Sequence, residues 1–299
     1  MRSVIGWIKL EPLLAAVLWG GIYPGAKLGL REIPVLGFTA LRLVVASCVL
    51  FMVFGRHRGL DVRRAPFTNV LNAGLAQTAF QLLLIAGLDR TTAGNSAILL
   101  ATAPLMTAAW LALTKRDSLT WRQLGGLLLG IVGVGLVVRQ ARLDIGSSEM
   151  TGNAIALAAA GAWAWYSIAI GPVVNHLGAG WATGLTMVSA AAVVTPLALP
   201  ELATLAWQRV SWEAWAGLVY GSTIGMVVAM TLWGRSVSKL GPKETMTYIY
   251  LEPASAVVIA AVLLGESFGR LQGLGAMVIF VALWIASAPQ RPAQEETRT

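Results

Sequence analysis

The stretch LEPASAVVIAAVLLGESFGRLQGLG, residues 251–275, carries no charge from Pro253 to Gly265 and yet begins beside a carboxylate, Glu252. At an offset of 149 residues it meets TAPLMTAAWLALTKRDSLTWRQLGG, residues 102–126, so that Pro104 falls on Pro253, Ser118 on Ser267, Gln123 on Gln272, Gly126 on Gly275 and Asp117 on Glu266. A shift of 147 puts Gly74 on Gly221 and Gly87 on Gly234, and Trp19 has a counterpart in Trp163 or Trp165. Matches in one order and at nearly one offset predict a duplicated unit; the alternative is chance similarity among Gly-, Ala- and Leu-rich helices.

The rest of the chain reads like this stretch. Of 299 residues, 57% are hydrophobic and 12% charged, where a soluble domain carries about 25% charged residues. Too little charge remains to coat a water-facing surface, which excludes a soluble enzyme, a disordered binder and any large extramembrane domain. Apolar runs bounded by charge or by Gly and Pro predict ten membrane spans, near 12–31, 34–54, 68–88, 92–114, 120–138, 152–171, 179–199, 212–234, 243–264 and 269–287. Each is about the 20 residues a bilayer requires, and runs this continuous fit helices, which satisfy their own backbone in lipid. The first run lacks a small-residue cleavage site and is read as a retained helix rather than a signal peptide.

Five is odd, so a second five-helix unit enters the membrane from the opposite side. The expected architecture is therefore an all-α integral membrane protein of ten transmembrane helices in two inverted five-helix repeats, residues 1–145 and 146–290, with a cytoplasmic tail at 291–299. Inverted repeats are a common carrier architecture, with substrate bound near the midplane. With the N-terminus inside, Lys and Arg number 14 in the inside segments and 7 outside, and the dense loop Arg56, Arg58, Arg63 and Arg64 faces the cytoplasm. Both termini are then cytoplasmic and the 139–151 loop lies outside. The net charge of +8 is scattered over short loops, so it orients the protein and points to no nucleic-acid partner. Gly126, Gly130, Gly133 and Gly135 are read as packing positions, since no strand precedes them and no Lys-Ser/Thr follows. The single cysteine, Cys48, excludes an intrachain disulfide.

Trp19-Gly20, Pro24, Lys27, Pro34 and Arg42, with Tyr250-Leu251-Glu252-Pro253, Gly265-Glu266, Gln272 and Gly275, resemble the EamA-type members of the drug/metabolite transporter superfamily. In the first half the motif reads Ala103-Pro104 and lacks the acidic residue. The resemblance covers nearly the whole chain as two tandem repeats. It implies a secondary carrier of the cell inner membrane working by alternating access without cofactor or metal, often an exporter of amino acids or other small metabolites. Within that breadth it looks most like the amino-acid exporters, including carriers of neutral, hydrophobic and aromatic amino acids.

Glu252 is the sharpest site candidate, about nine residues or roughly 13 Å into its span. An acid at that depth is costly and marks function by default; it is a candidate both for contacting substrate and for carrying a coupled proton. The competing reading has it bonding neighbours where Pro253 disrupts the helix. Thr245, Tyr248 and Glu252 recur at helical spacing, and Asn95, Ser96 and Thr102 precede Pro104 in the partner span. Asn72, Gln77 and Gln81 lie in the third span, the last two one turn apart, and suit a zwitterion as well as they suit helix–helix contacts. Trp19, Trp163, Trp165 and Tyr166 lie deep in the first and sixth spans, with Tyr23 one turn beyond Trp19; they are candidates for an aromatic wall favouring hydrophobic substrates. Trp7, Trp121, Trp181, Trp207, Trp212, Trp215 and Trp284 read as interfacial anchors. Arg42 is shallow enough to snorkel outward, with a structural role implied by the resemblance and a substrate-carboxylate contact as the alternative. Lys27 reads as structural, and Asp89-Arg90 as an exposed pair.

The candidate substrate-binding set is thus Trp19, Tyr23, Gln77, Gln81, Asn95, Trp163, Tyr166, Tyr248 and Glu252. Enzyme chemistry finds no support: His57 and His176 are in loops, and Glu252 has no acidic partner within the membrane. The rival transport readings are a broad drug or metabolite efflux carrier and a channel-like facilitator.

Overall fold

In a computed structural model the described residues are 9–54, 66–114, 120–140, 148–240, 245, 247–267 and 269–287. Trp7, His57, the arginines of the 56–64 loop, Asp117, Ser118, most of the 139–151 loop and the tail 291–299 lie outside them. Among the described residues there is no strand. The helices are α1 (Leu10–Gly20), α2 (Ile22–Leu30), α3 (Val35–Phe54), α4 (Phe67–Arg90), α5 (Ala93–Leu100), α6 (Ala103–Leu113), α7 (Trp121–Gln140), α8 (Ser148–Leu177), α9 (Ala179–Thr204), α10 (Trp212–Val219), α11 (Met230–Leu240), α12 (Leu251–Leu264) and α13 (Arg270–Ser287).

Seven helical stretches are long and apolar enough to cross a membrane: Leu10–Leu30, Val35–Val53, Phe67–Arg90, Ala93–Leu113, Ser148–Leu177, Ala179–Thr204 and Trp212–Leu240. The fifth, ninth and tenth expected spans are represented by shorter apolar helices, Leu124–Gly133, Leu251–Leu264 and Arg270–Ala282. In the ninth, a tighter 3₁₀ turn over Thr247–Tyr250 precedes α12.

Several long stretches are internally broken, two of them near a proline. Pro24 has no N–H for the Gly20 carbonyl and its ring crowds that turn, so α1 gives way to α2 at Gly21. Ala101 and Thr102 separate α5 from α6, whose first turn holds Pro104. A π-helix over Tyr220–Ala229 joins α10 to α11.

Packing across the two halves of the chain comes in matched pairs. Helix α4 lies along α8, as α2 lies along α10 and α1 along α11. Helices α5 and α6 touch α8, as α12 touches α1 and α2. Helix α4 also meets α9, as α3 meets α10 and the π-helix, while α3 with α9, α7 with α13 and α5 with α12 pack directly. Small residues permit the closest crossings. Gly133 of α7 sits against the Gly275 carbonyl and Ile279 of α13, and Gly217 of α10 sits against the backbone of Gly25.

At the ends of α2 and α10, the exposed Glu32 carboxylate accepts from the Ser211 backbone N–H at 2.5 Å. That bond, at the N-cap of α10, holds the carboxyl below its usual range.

A Cβ at Gly217 would collide with the Gly25 carbonyl. Gly217→Val is therefore expected to lower the melting midpoint in detergent, at a cost of about 1–3 kcal/mol for overpacking. Gly125→Ala, where an added Cβ meets nothing within 4 Å, is expected to leave the midpoint unchanged or higher; equal losses at both positions would contradict the α2–α10 crossing.

Candidate functional site

The breaks in the helices carry side chains to one place. Trp19 ends α1 and Tyr23 opens α2, with the turn between them held by Tyr220, whose Oη donates to the Leu18 carbonyl at 2.7 Å. The wide turns of the π-helix bring the Gly225 carbonyl to the Trp19 indole Nε1, which donates to it at 3.0 Å. Short π segments often mark functional sites. The 3₁₀ turn ahead of α12 sets Glu252 in that helix's first turn, where Oε1 accepts from the Tyr23 hydroxyl at 2.5 Å.

These groups border a buried cavity lined by Trp19, Tyr23, Arg42, Gln81, Trp163 and Glu252, with Phe80, Leu84, Met226 and Met230 among its apolar walls. Its volume is about 30 Å³, room for a water or two at roughly 10–15 Å³ each. An amino-acid side chain enters only if the walls separate.

An aromatic cluster forms one side. Trp19 meets Trp163 edge-on with ring centroids 5.3 Å apart, and Trp233 packs on Trp19 at 5.1 Å. Phe80 lies 4.8 Å from Trp163, and Tyr166 stacks on Trp163 at 5.4 Å. Such pairs contribute about 0.5–1.5 kcal/mol each beyond burial. Among the described residues, Trp163 Nε1 and Gln81 Oε1 are buried without a hydrogen-bond partner, so polar groups remain at an otherwise apolar wall.

Of the residues expected from sequence, Trp19, Tyr23, Gln81, Trp163 and Glu252 line this cavity, and Tyr166 stands behind Trp163 with its hydroxyl 3.5 Å from Thr186 Oγ1. Gln77 turns toward α9, where its Nε2 lies 3.4 Å from Met187 Sδ. Asn95 is held elsewhere. Its amide donates to Glu149 and Asn153, both at 3.3 Å, and its Oδ1 accepts from Gln272. In the same region Glu266 accepts from the backbone N–H groups of Ala93 and Gly94, which completes the N-terminus of α5. Tyr248 is also apart from the cavity, its hydroxyl accepting from the Lys9 backbone N–H at 3.1 Å. Trp165 donates to Asn72 Oδ1 at 3.0 Å, a helix–helix contact between α8 and α4.

Arg42 corrects the snorkelling expectation, since it is 1% exposed and faces the cavity. Position along a span does not tell which face turns inward. Trp233 and the Gly225 carbonyl were not foreseen. Trp233 stands at the end of an apolar run, where tryptophan reads as an anchor, and no local residue pattern announces a π-helix.

The EamA-like transporter family matches residues 6–139 and again 150–288. A probable terminal-alkyne amino-acid exporter of Streptantibioticus cattleyicolor is 28% identical over 262 residues, covering 85% of this chain and 84% of the relative. A probable amino-acid metabolite efflux pump of Salmonella typhimurium is 28% identical over 283 residues, covering 91% and 92%. A solved crystal structure shares the fold with a TM-score of 0.68 at 17% identity, covering 93% of this chain and 95% of the other.

Tyr23→Phe removes the hydroxyl that serves the buried Glu252 carboxyl. It is expected to cost about 1–3 kcal/mol, the usual penalty for a buried acceptor left unpaired, read as an earlier melting midpoint in detergent. Glu252→Gln keeps an acceptor for Tyr23 and is expected to cost less; the reverse order would show that the Tyr23–Glu252 bond does not support the fold.

Proposed function

Because the chain belongs to the EamA-like transporter family, we propose that it is a secondary carrier that exports neutral, hydrophobic or aromatic amino acids by alternating access. The observation that carries this reading is the composition of the central cavity: an aromatic wall of Trp19, Trp163 and Phe80 beside one buried carboxyl, Glu252, at the junction of the two halves. Aromatic surface suits an apolar side chain, and the carboxyl suits an ammonium group or a coupled proton. The names of the Streptantibioticus and Salmonella relatives support an amino-acid substrate.

The twofold family match at 6–139 and 150–288 supports two tandem units, close to the proposed boundaries 1–145 and 146–290. The matched packing pairs support an inverted relation between them. In this reading ten helices cross the cell inner membrane, both termini are cytoplasmic, and the halves rock about the cavity. The substrate contacts are Trp19, Tyr23, Gln81, Trp163 and Glu252, with Tyr166 behind Trp163; Gln77, turned toward α9, reaches the substrate only after a change of rotamer. Asn95 and Tyr248 serve the substrate only in a conformation that breaks their present bonds.

Proteoliposome exchange against a panel of labelled amino acids, with and without a proton gradient, tests the function. Saturable counterflow of hydrophobic or aromatic amino acids is expected; non-saturating flux would indicate a channel-like facilitator, and flux of unrelated drugs at equal rates a broad efflux carrier. Glu252→Gln is expected to abolish any stimulation by the proton gradient, and unchanged transport and pH dependence would remove Glu252 from the coupling. Trp163→Ala is expected to weaken apparent affinity for phenylalanine about tenfold and for alanine little; equal losses would count against the aromatic wall.

A further inference from the structure

The cavity holds a cation as well as an acid. Arg42 of α3 is almost wholly buried, and its Nε and Nη1 have no hydrogen-bond partner among the described residues. No described carboxylate lies within ion-pair distance of it. The Phe38 ring, 5.7 Å from the guanidinium carbon, offsets part of the desolvation. Gly221 makes room for the group, since a Cβ there would come within 2.9 Å of Nε. The hydroxyl of the neighbouring Ser222 is spent on the Leu218 carbonyl.

A buried charge with unspent donors is expensive, and among the described residues no ion pair offsets it. Glu252 borders the same cavity from α12, but its Oε1 is engaged by Tyr23. A guanidinium and a carboxyl group therefore face one space from different helices without pairing.

We propose that Arg42 binds the substrate carboxylate and, with Glu252 receiving the ammonium group, fixes the orientation of a zwitterionic amino acid whose side chain lies against Trp19, Trp163 and Phe80. The planar fork of the guanidinium matches a carboxylate in two parallel bonds. The buried donors also discriminate: a ligand without a carboxylate leaves them unpaired, and sites built this way reject such analogues far more strongly than apolar pockets reject a missing methylene. This assignment rests on the amino-acid reading and adds the group that recognises the acid end.

The test compares three ligands of one skeleton, L-phenylalanine, 2-phenylethylamine and 3-phenylpropionate, by calorimetry on purified full-length protein in detergent. Wild type is expected to bind phenylalanine most tightly. Arg42→Gln is expected to weaken phenylalanine and phenylpropionate about tenfold to a hundredfold while leaving phenylethylamine nearly unchanged, and that retained binding shows the cavity is intact. Glu252→Gln is expected to do the converse, weakening the two amines and sparing phenylpropionate. Arg42→Lys, which keeps the charge without the fork, gives an intermediate loss of phenylalanine and carries the comparison if Arg42→Gln does not fold. Wild-type binding of phenylalanine with a phenylalanine-to-phenylethylamine ratio unchanged in the Arg42 variants, or with all three ligands lost in equal proportion, overturns the assignment and leaves the amino-acid reading standing. If wild type binds no amino acid, the amino-acid reading itself fails.

Discussion

A backbone polar group in hydrocarbon has no water to turn to, so any carbonyl or N–H released from a helical ladder must find a partner inside the protein. That constraint explains why the chain is helical, and it explains more in the places where the helices stop. At the α1–α2 break the Tyr220 hydroxyl takes the Leu18 carbonyl. Where α5 ends, the Thr102 hydroxyl takes the Leu99 carbonyl. In the π-helix the Trp19 indole takes the Gly225 carbonyl. Two of these three bonds reach from one half of the chain to the other, so repairing the helices also binds the halves together around the cavity.

The site is a product of the same repairs. A straight first helix, rising 1.5 Å per residue, would set Trp19 and Tyr23 one turn apart on a single face of one rod. The turn at Gly21 lets Trp19 reach the π-helix while Tyr23 reaches α12. Glu252 is positioned in the same way, since the tight 3₁₀ turn before α12 delivers it to the hydroxyl of Tyr23. Charge and aromatic surface meet where regular structure is locally given up.

Apolar periodicity and charge spacing were enough to read the helical class, and the motif around Pro253 was enough to direct attention to Glu252. Trp163 was legible as one of two tryptophans that could answer Trp19 in the second half, and it is the one whose ring touches Trp19 in the folded protein. Asn95 and Tyr248 were chosen by the same logic of polar residues within apolar runs, yet their bonds go to helix ends and neighbouring polar groups. Their spacing is indistinguishable from that of a cavity residue, because helix rotation depends on packing against partners far away in sequence. The snorkelling expectation for Arg42 fails for a related reason, since the side chain is buried. Depth within a span says how far a side chain is from water and nothing about whether it faces lipid or protein.

The flexible, unbranched side chains of Met226 and Met230 and the branched Leu84 face the same small space as the two tryptophans. Methionine adapts its shape readily, and the side chains of these three residues make none of the bonds that close the helix breaks. Changing them alters the size of the chamber without disturbing the bonds that close the helix breaks. The volume of the chamber can therefore change at these three positions while Trp19, which also lines it, goes on holding the Gly225 carbonyl and Tyr23 goes on holding Glu252.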